Sequence, residues 1–124
     1  MNSTRPVVCV VDDDASLLRA LKRLLGAAGF AVEPFASAEE FLERAHPAKP
    51  ECLVLDVRLG GMSGFELQDR LVACGASIPI IFITAHDDAA TRERARKAGA
   101  LAYLRKPFDD QALLAAIRKA TDRR

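Results

Sequence analysis

The side chains able to do chemistry in this sequence stand at the ends of short apolar runs. Val7-Val8-Cys9-Val10-Val11 ends in Asp12-Asp13-Asp14, and Cys52-Leu53-Val54-Leu55 ends in Asp56. Pro79 to Ile83 ends in Thr84, and Leu101 to Leu104 runs on to Lys106-Pro107. If these runs are strands of one parallel sheet, their carboxyl ends share a rim, where distant carboxylates meet beside a hydroxyl and an ammonium. Clustered carboxylates repel, so either one is protonated or a cation joins them, and one lysine does not offset three negative groups. Oxygen ligands without His or Cys favour Mg²⁺, which takes one or two carboxylates and keeps waters and a substrate phosphate. A strand-aligned carboxylate can then attack phosphorus to give an acyl phosphate while the metal, the lysine and the hydroxyl neutralise the phosphoryl oxygens. Asp56, alone at the end of its run, is the expected nucleophile. The adjacent Asp12 and Asp13 suit a metal-flanking role, and Asp14 suits a helix cap. Each residue alone has an ordinary explanation as a solvated loop group; their coincidence on separate strand ends is what favours a site.

The elements that must position these groups alternate, as in βαβ units around a parallel sheet. After Val7 to Val11, Leu17, Leu18, Leu21, Leu24 and Leu25 form one helical face, stopped at Gly29. Ala31 to Phe35 reads as a second strand, at an edge because it contains Pro34. Ser37 and Glu40 offer a capping box for a short helix ending before Pro47, with His46 at its surface end. Cys52 to Asp56 is the third strand, and Ser63 with Glu66 offers a second capping box for a helix ending near Gly75. Its expected apolar stripe is Phe65, Leu67, Leu71 and Val72. Pro79 to Thr84 is the fourth strand, followed by a helix capped by Asp87 or Asp88 and stopped at Gly99, with an apolar face of alanine alone. Leu101 to Leu104 is a weak fifth strand, and Asp109 or Asp110 caps a last helix carrying Leu113, Leu114 and Ile117. The first, third and fourth strands are continuously apolar and so should be central, covered by helices on both faces. The expectation is an α/β fold, a doubly wound (βα)5, flavodoxin-like parallel sheet of strand order 2-1-3-4-5.

Composition sets the outer limits. At 124 residues, 50% apolar and 28% charged, the chain is expected to be a single domain over 1–124, with its core at about 7–120 and 121–124 as a tail or linker start. Eighteen Lys and Arg against seventeen Asp and Glu give +1, without the positive field that binding nucleic acid through bulk charge requires. No run approaches the roughly 20 apolar residues of a membrane span, and the N-terminus lacks a secretory pattern, so the expected location is cytoplasmic. Cys9, Cys52 and Cys74 are widely spaced and odd in number, which disfavours a disulfide or a zinc site, and the two inside apolar strands are expected to be buried reduced thiols.

These residues resemble the receiver (CheY-like) domain of two-component response regulators over about Val7 to Ala120. The resemblance rests on Asp12-Asp13, Leu53-Val54-Leu55-Asp56 with Met62-Ser63-Gly64, Ile83-Thr84-Ala85 and Lys106-Pro107-Phe108. It implies that a sensor histidine kinase passes a phosphoryl group to Asp56, with Mg²⁺ held by Asp13, Asp56 and the backbone carbonyl of Arg58. Asp12 would assist from outside the ligand set. The resemblance further implies that Thr84 and Lys106 bind the phosphoryl group, that Thr84 moves toward it as Tyr103 turns inward, and that Lys106-Pro107 is cis. The output face would be the fourth helix, fifth strand and fifth helix, with phosphorylation-linked homodimerisation a reasonable expectation. Local spacing is most similar to the subgroup whose receivers control a helix-turn-helix DNA-binding domain, which would lie elsewhere in a parent chain. Every helix here is needed to cover the sheet, so no direct nucleic acid contact is expected. Members often carry proline where this chain has Gly60, which leaves a more mobile loop beside the acceptor. Arg58 and His86 flank the site and are candidates for tuning loss of the phosphoryl group.

The resemblance implies a domain that catalyses only its own phosphorylation and dephosphorylation. A stand-alone receiver acting through protein contacts is the near alternative. A small haloacid-dehalogenase-like phosphatase, suggested by Asp12-x-Asp14, would leave Asp56 unexplained. A flavin module would meet repulsion between its phosphate and the aspartates after the first strand.

Overall fold

The computed structural model describes residues 5–44 and 50–122, so His46 and Pro47 lie outside the described residues. In chain order the elements are β1 (Val7–Val11), α1 (Ala15–Ala27), β2 (Ala31–Phe35), α2 (Ala38–Glu43), β3 (Cys52–Asp56), α3 (Gly64–Ala73), β4 (Ile80–Thr84), α4 (Ala89–Lys97), β5 (Ala102–Arg105) and α5 (Asp110–Thr121). The five strands form one sheet in the order β2-β1-β3-β4-β5. Every pairing is parallel. The expected α/β doubly wound arrangement is therefore the observed one, with β4 and β5 each starting one residue later than the sequence pattern suggests.

Alternation along the strands divides the core into two layers, one on each face of the sheet. Val8, Val10, Cys52, Val54, Ile81 and Ile83 meet Leu21 and Leu25 of α1 and Leu113 and Ile117 of α5. Cys9, Val11, Leu53, Leu55 and Phe82 meet Phe41 of α2, Phe65 and Leu67 of α3 and Ala95 of α4. β3 and β4 are buried throughout, as strands covered on both faces must be. Pro34, which lacks an N–H to donate, sits on the edge strand β2 in register with Val10.

Cys9 and Cys52 belong to opposite layers, which keeps these neighbouring-strand thiols from pairing. Burial pushes each thiol up to about 12, well above the thiolate range. Cys74, outside the strands, is exposed as the C-cap of α3.

The helix ends follow local chemistry. Asp14, Ser63, Asp88 and Asp109 cap α1, α3, α4 and α5. Ser63 and Glu66 form the full reciprocal box, whereas at α2 only half of it forms. Ser37 accepts from the Glu40 N–H, but the Glu40 carboxylate reaches one residue further back and accepts from Ala36 N at 2.9 Å. The stripe of α3 also needs correction, because Val72 is 67% exposed. Successive helical residues turn by 100°, so placing Leu71 inward sends Val72 outward, while Gln68 takes a buried position.

The helices differ in how firmly they are held. α5 buries Leu113, Leu114 and Ile117, and each such side chain contributes about 1.5–3 kcal/mol. α4 buries Ala95 alone, so it has the least apolar anchorage of the four longer helices.

Candidate functional site

The parallel strands bring their carboxyl ends to one rim, and the expected groups meet there. Asp12 follows the last residue of β1, held by its N–H donating to Phe35 O at 3.0 Å. Asp56 ends β3 in register with Ile83 of β4, and the next residue, Val57, donates its N–H to Ile83 O at 2.9 Å. Both carboxylates are buried, and Asp13 beside them is exposed. Oxygens of Asp12, Asp13 and Asp56 all lie within 4.8 Å of one another.

Lys106 joins the two buried carboxylates. Its Nζ donates to Asp12 Oδ2 at 2.7 Å and to Asp56 Oδ2 at 3.1 Å. The lysine is placed by its backbone, whose N–H donates to Thr84 O at 2.7 Å, and the Lys106–Pro107 peptide that follows is cis. The remaining carboxylate oxygens accept backbone donors, Asp12 Oδ1 from Asp14 N at 2.9 Å and Asp56 Oδ1 from Arg58 N at 3.1 Å.

Burial and the neighbouring Asp12 charge push the Asp56 carboxyl up to about 6, against the lowering effect of Lys106 and of the Arg58 N–H. For Lys106, burial pulls the ammonium down, but its bonds and charge contacts with Asp12 and Asp56 outweigh that and hold it above its ordinary value. Asp56 is thus an ionised, partly desolvated carboxylate at neutral pH, with a fixed donor on each oxygen.

This balance has a sign that can be measured without metal. A carboxyl titrating near 3.8 when unfolded and about 6 when folded gives a stability contribution present below pH 3.8 and lost as pH rises through 6. Asp56→Asn is expected to be more stable than the native chain in EDTA at pH 7, because it removes the charged form that burial and Asp12 disfavour. The difference should shrink as pH falls from 6 to 3.8, as read by chemical denaturation.

The cluster fits Mg²⁺ by its donor chemistry: oxygen ligands only, three acidic groups and one ammonium, which leaves negative charge in excess. Asp14 is not part of it, because its Oδ1 accepts from Ser16 N at 3.0 Å and Leu17 N at 3.2 Å as the α1 cap. That cap role accounts for Asp14 without a catalytic function.

The other expected residues lie around the rim. Thr84 is fully buried, and its Oγ1 accepts from His86 N at 2.9 Å. Tyr103 does not join the carboxylates: its hydroxyl donates to Asp87 Oδ1 at 3.1 Å. Asp87 also takes Arg92 at 2.6 Å, and the Arg92 guanidinium lies 6.0 Å from the Tyr103 ring centroid. Burial, then the Asp87 bond, pushes the Tyr103 phenol up to about 12. Arg58 and His86 are both exposed beside the site.

Three supports escaped the sequence pattern. Gly64 lies so close to β3 that a Cβ there would come 2.3 Å from the Asp56 carbonyl oxygen. Glu39 of α2 accepts from Met62 N, in the loop after Asp56, at 3.0 Å. Gln68 of α3 donates to Ala98 O, at the end of α4, at 3.0 Å. The glycine has a local signal in its place just before the apolar stripe, whereas the two long-range bonds have none.

Known proteins agree with this geometry. The family model described as the response regulator receiver domain matches residues 8–118. Nodulation protein W of Bradyrhizobium diazoefficiens is 48% identical over 121 residues, covering 98% of this chain and 53% of that protein. Transcriptional regulatory protein FixJ of Azorhizobium caulinodans is 42% identical over 116 residues, covering 94% of this chain and 55% of that protein. The chain therefore spans about half the length of these curated relatives. A crystal structure of a response regulator receiver protein from Burkholderia phymatum superposes with a TM-score of 0.83 at 48% identity, covering 95% of this chain and 96% of that one. The solved structure of FixJ-N superposes with a TM-score of 0.86 at 37% identity, covering 98% of each chain. With the acidic rim, the bridging lysine and the 2-1-3-4-5 sheet already in hand, the chain belongs to the response regulator receiver domain family.

Proposed function

We propose that Asp56 is the phosphoryl acceptor of a Mg²⁺-dependent signalling switch, charged by a sensor histidine kinase, and that the chain catalyses only its own phosphorylation and dephosphorylation. The observation that carries this reading is the buried Asp56 carboxyl sharing Lys106 with Asp12. In the forward step an Asp56 carboxylate oxygen forms a bond to phosphorus, and the bond from phosphorus to the donor nitrogen of phosphohistidine breaks. The imidazole leaves with that electron pair and gains a proton. Lys106 and the Thr84 hydroxyl bind the phosphoryl oxygens. Asp13, Asp56 and the Arg58 carbonyl would hold Mg²⁺, with Asp12 supporting them, and the metal would supply positive charge against the transferring group.

The switch follows from bonds that the phosphoryl group would displace. To reach it, the Thr84 hydroxyl gives up its bond from His86 N, and the β4–α4 connection is released. Tyr103 then exchanges its Asp87 bond for an inward position. α4, with Ala95 as its buried anchor, shifts at low cost. The altered α4–β5–α5 face is the proposed output surface, and it is also where a phosphorylation-dependent homodimer would form.

The output is proposed to be transcription, through a DNA-binding domain in a longer parent chain. FixJ is named a transcriptional regulatory protein, and this chain covers 55% of its length. Direct nucleic acid contact by this chain is not part of the proposal. Among the described residues no helix is long and apolar enough to cross a membrane. A cytoplasmic location is proposed from the kinase-linked role.

Intact mass after incubation with acetyl phosphate tests the acceptor and the metal together. The native chain should gain one labile phosphoryl group. Asp56→Asn and an EDTA control should gain none. Absence of an adduct on the native chain, or its persistence in Asp56→Asn, would overturn the proposal.

A further inference from the structure

The loop between β3 and α3 carries Gly60 and Gly61, four and five residues after Asp56. Glycine loses more backbone freedom on ordering than any other residue, so two in succession leave a loop that needs an external hold. Its entry is fixed by Arg58 N on Asp56 Oδ1. Its exit is fixed by Gly64 N donating to Val57 O at 3.0 Å and by the Ser63–Glu66 box. Between them, Leu59 and Met62 pack against the core layer that includes Phe35, Phe41 and Phe65. The backbone of this stretch is also gripped from a different element: Glu39, in the first turn of α2, accepts the Met62 N–H through Oε2 at 3.0 Å.

The same oxygen lies 2.8 Å from where a Cβ on Gly61 would stand. Gly61 has φ +86°, so the residue that makes the turn also leaves the space the carboxylate uses. The bond draws the Glu39 carboxyl below its ordinary range, with the Met62 N–H as the largest cause.

We propose that Glu39 is a positioning residue of the acceptor site, clamping the Gly60-Gly61 loop through the Met62 N–H so that the Arg58 backbone stays placed for metal binding. This rests on the receiver reading above. Glu39 touches no reacting group. Its effect passes along the backbone from Met62 to Arg58, whose N–H meets Asp56 and whose carbonyl is the proposed metal ligand. The clamp joins α2 to the loop between β3 and α3, and so gives α2 a part in the site that its distance in sequence conceals.

The test compares Glu39→Ala and Glu39→Gln with the native chain. In metal-free protein, Met62 amide exchange should quicken and the Gly60 and Gly61 amides should gain mobility in Glu39→Ala, by ¹⁵N NMR. The Mg²⁺ concentration for half-maximal phosphorylation by acetyl phosphate should rise about fivefold, the effect of losing one hydrogen bond, with the rate at saturating Mg²⁺ unchanged. Glu39→Gln keeps an oxygen acceptor without the charge and should restore both readouts. A Glu39→Ala chain with native amide behaviour or native Mg²⁺ dependence would overturn the clamp. So would Glu39→Gln behaving as Glu39→Ala, because the charge and not the loop contact would then be acting. Failure of the native chain to become phosphorylated would instead overturn the receiver reading, with the amide data still reporting on the clamp.

Discussion

Lys106→Met should slow phosphorylation by acetyl phosphate about 10²-fold while leaving the Mg²⁺ concentration for half-saturation no higher than native. The lysine is the cation fixed between Asp12, at 2.7 Å, and Asp56, at 3.1 Å. A fixed donor aimed at developing charge costs no reorganisation during transfer, and removing one such donor typically lowers a rate by about 10²–10³. Methionine keeps most of the side-chain volume, so packing around the stem is preserved. The carboxylates, relieved of their competing ammonium, remain available to a divalent ion. An unchanged rate would show that the ammonium serves the resting charge balance alone, and a raised Mg²⁺ requirement would show that it organises the metal ligands.

Gly64→Ala should be strongly destabilising, although alanine is the better helix former. On propensity alone the change would stabilise α3, since glycine costs about 0.5–1 kcal/mol relative to alanine in a helix. Here the added Cβ would stand 2.3 Å from the Asp56 carbonyl oxygen and 3.1 Å from both the Asp56 carbonyl carbon and Val57 Cα. These are backbone atoms at the end of the buried strand β3, so α3 or the acceptor strand must shift. Overpacking of this kind costs about 1–3 kcal/mol and exceeds the propensity gain. Gly26, inside α1, is the matched control, because a Cβ there meets nothing within 4 Å. Gly26→Ala should raise the denaturation midpoint and Gly64→Ala lower it. Equal and opposite-to-expected shifts would mean that β3 and α3 separate more easily than their packing implies. Because the displaced backbone belongs to Asp56, Gly64→Ala should also slow phosphorylation, whereas Gly26→Ala should not.

The sheet and its rim were legible because both depend on local pattern. Uninterrupted apolar runs at β1, β3 and β4 separate buried strands from the Pro34 edge, and polar residues at the run ends then fall on one side. Asp14 and Ser63 were readable as caps, and Asp88 and Asp109 each as one of two adjacent candidates, because capping acts across three residues. Contacts that cross the fold were not readable. Glu39 meets Met62 across 23 residues, and Gln68 meets Ala98 across 30. Neither spacing has a periodic signature, and both depend on how α2, α3 and α4 lie on the same face. Val72 falls outside the buried stripe because it follows the inward-facing Leu71 by one residue, a turn of about 100° around the helix. Tyr103 was singled out through the family resemblance, and its bond to Asp87 with the Arg92 ion pair emerges only when β5 and the β4–α4 connection are placed together.

The most direct measurement locates the phosphoryl group chemically. After incubation with Mg²⁺ and acetyl phosphate, borohydride reduction converts an aspartyl phosphate to homoserine, and peptide mass spectrometry identifies the converted residue. The account predicts homoserine at position 56 alone, absent when Mg²⁺ is chelated. Homoserine at position 12 or 13, or a reduction-resistant phosphate on Ser63 or Thr84, would contradict it.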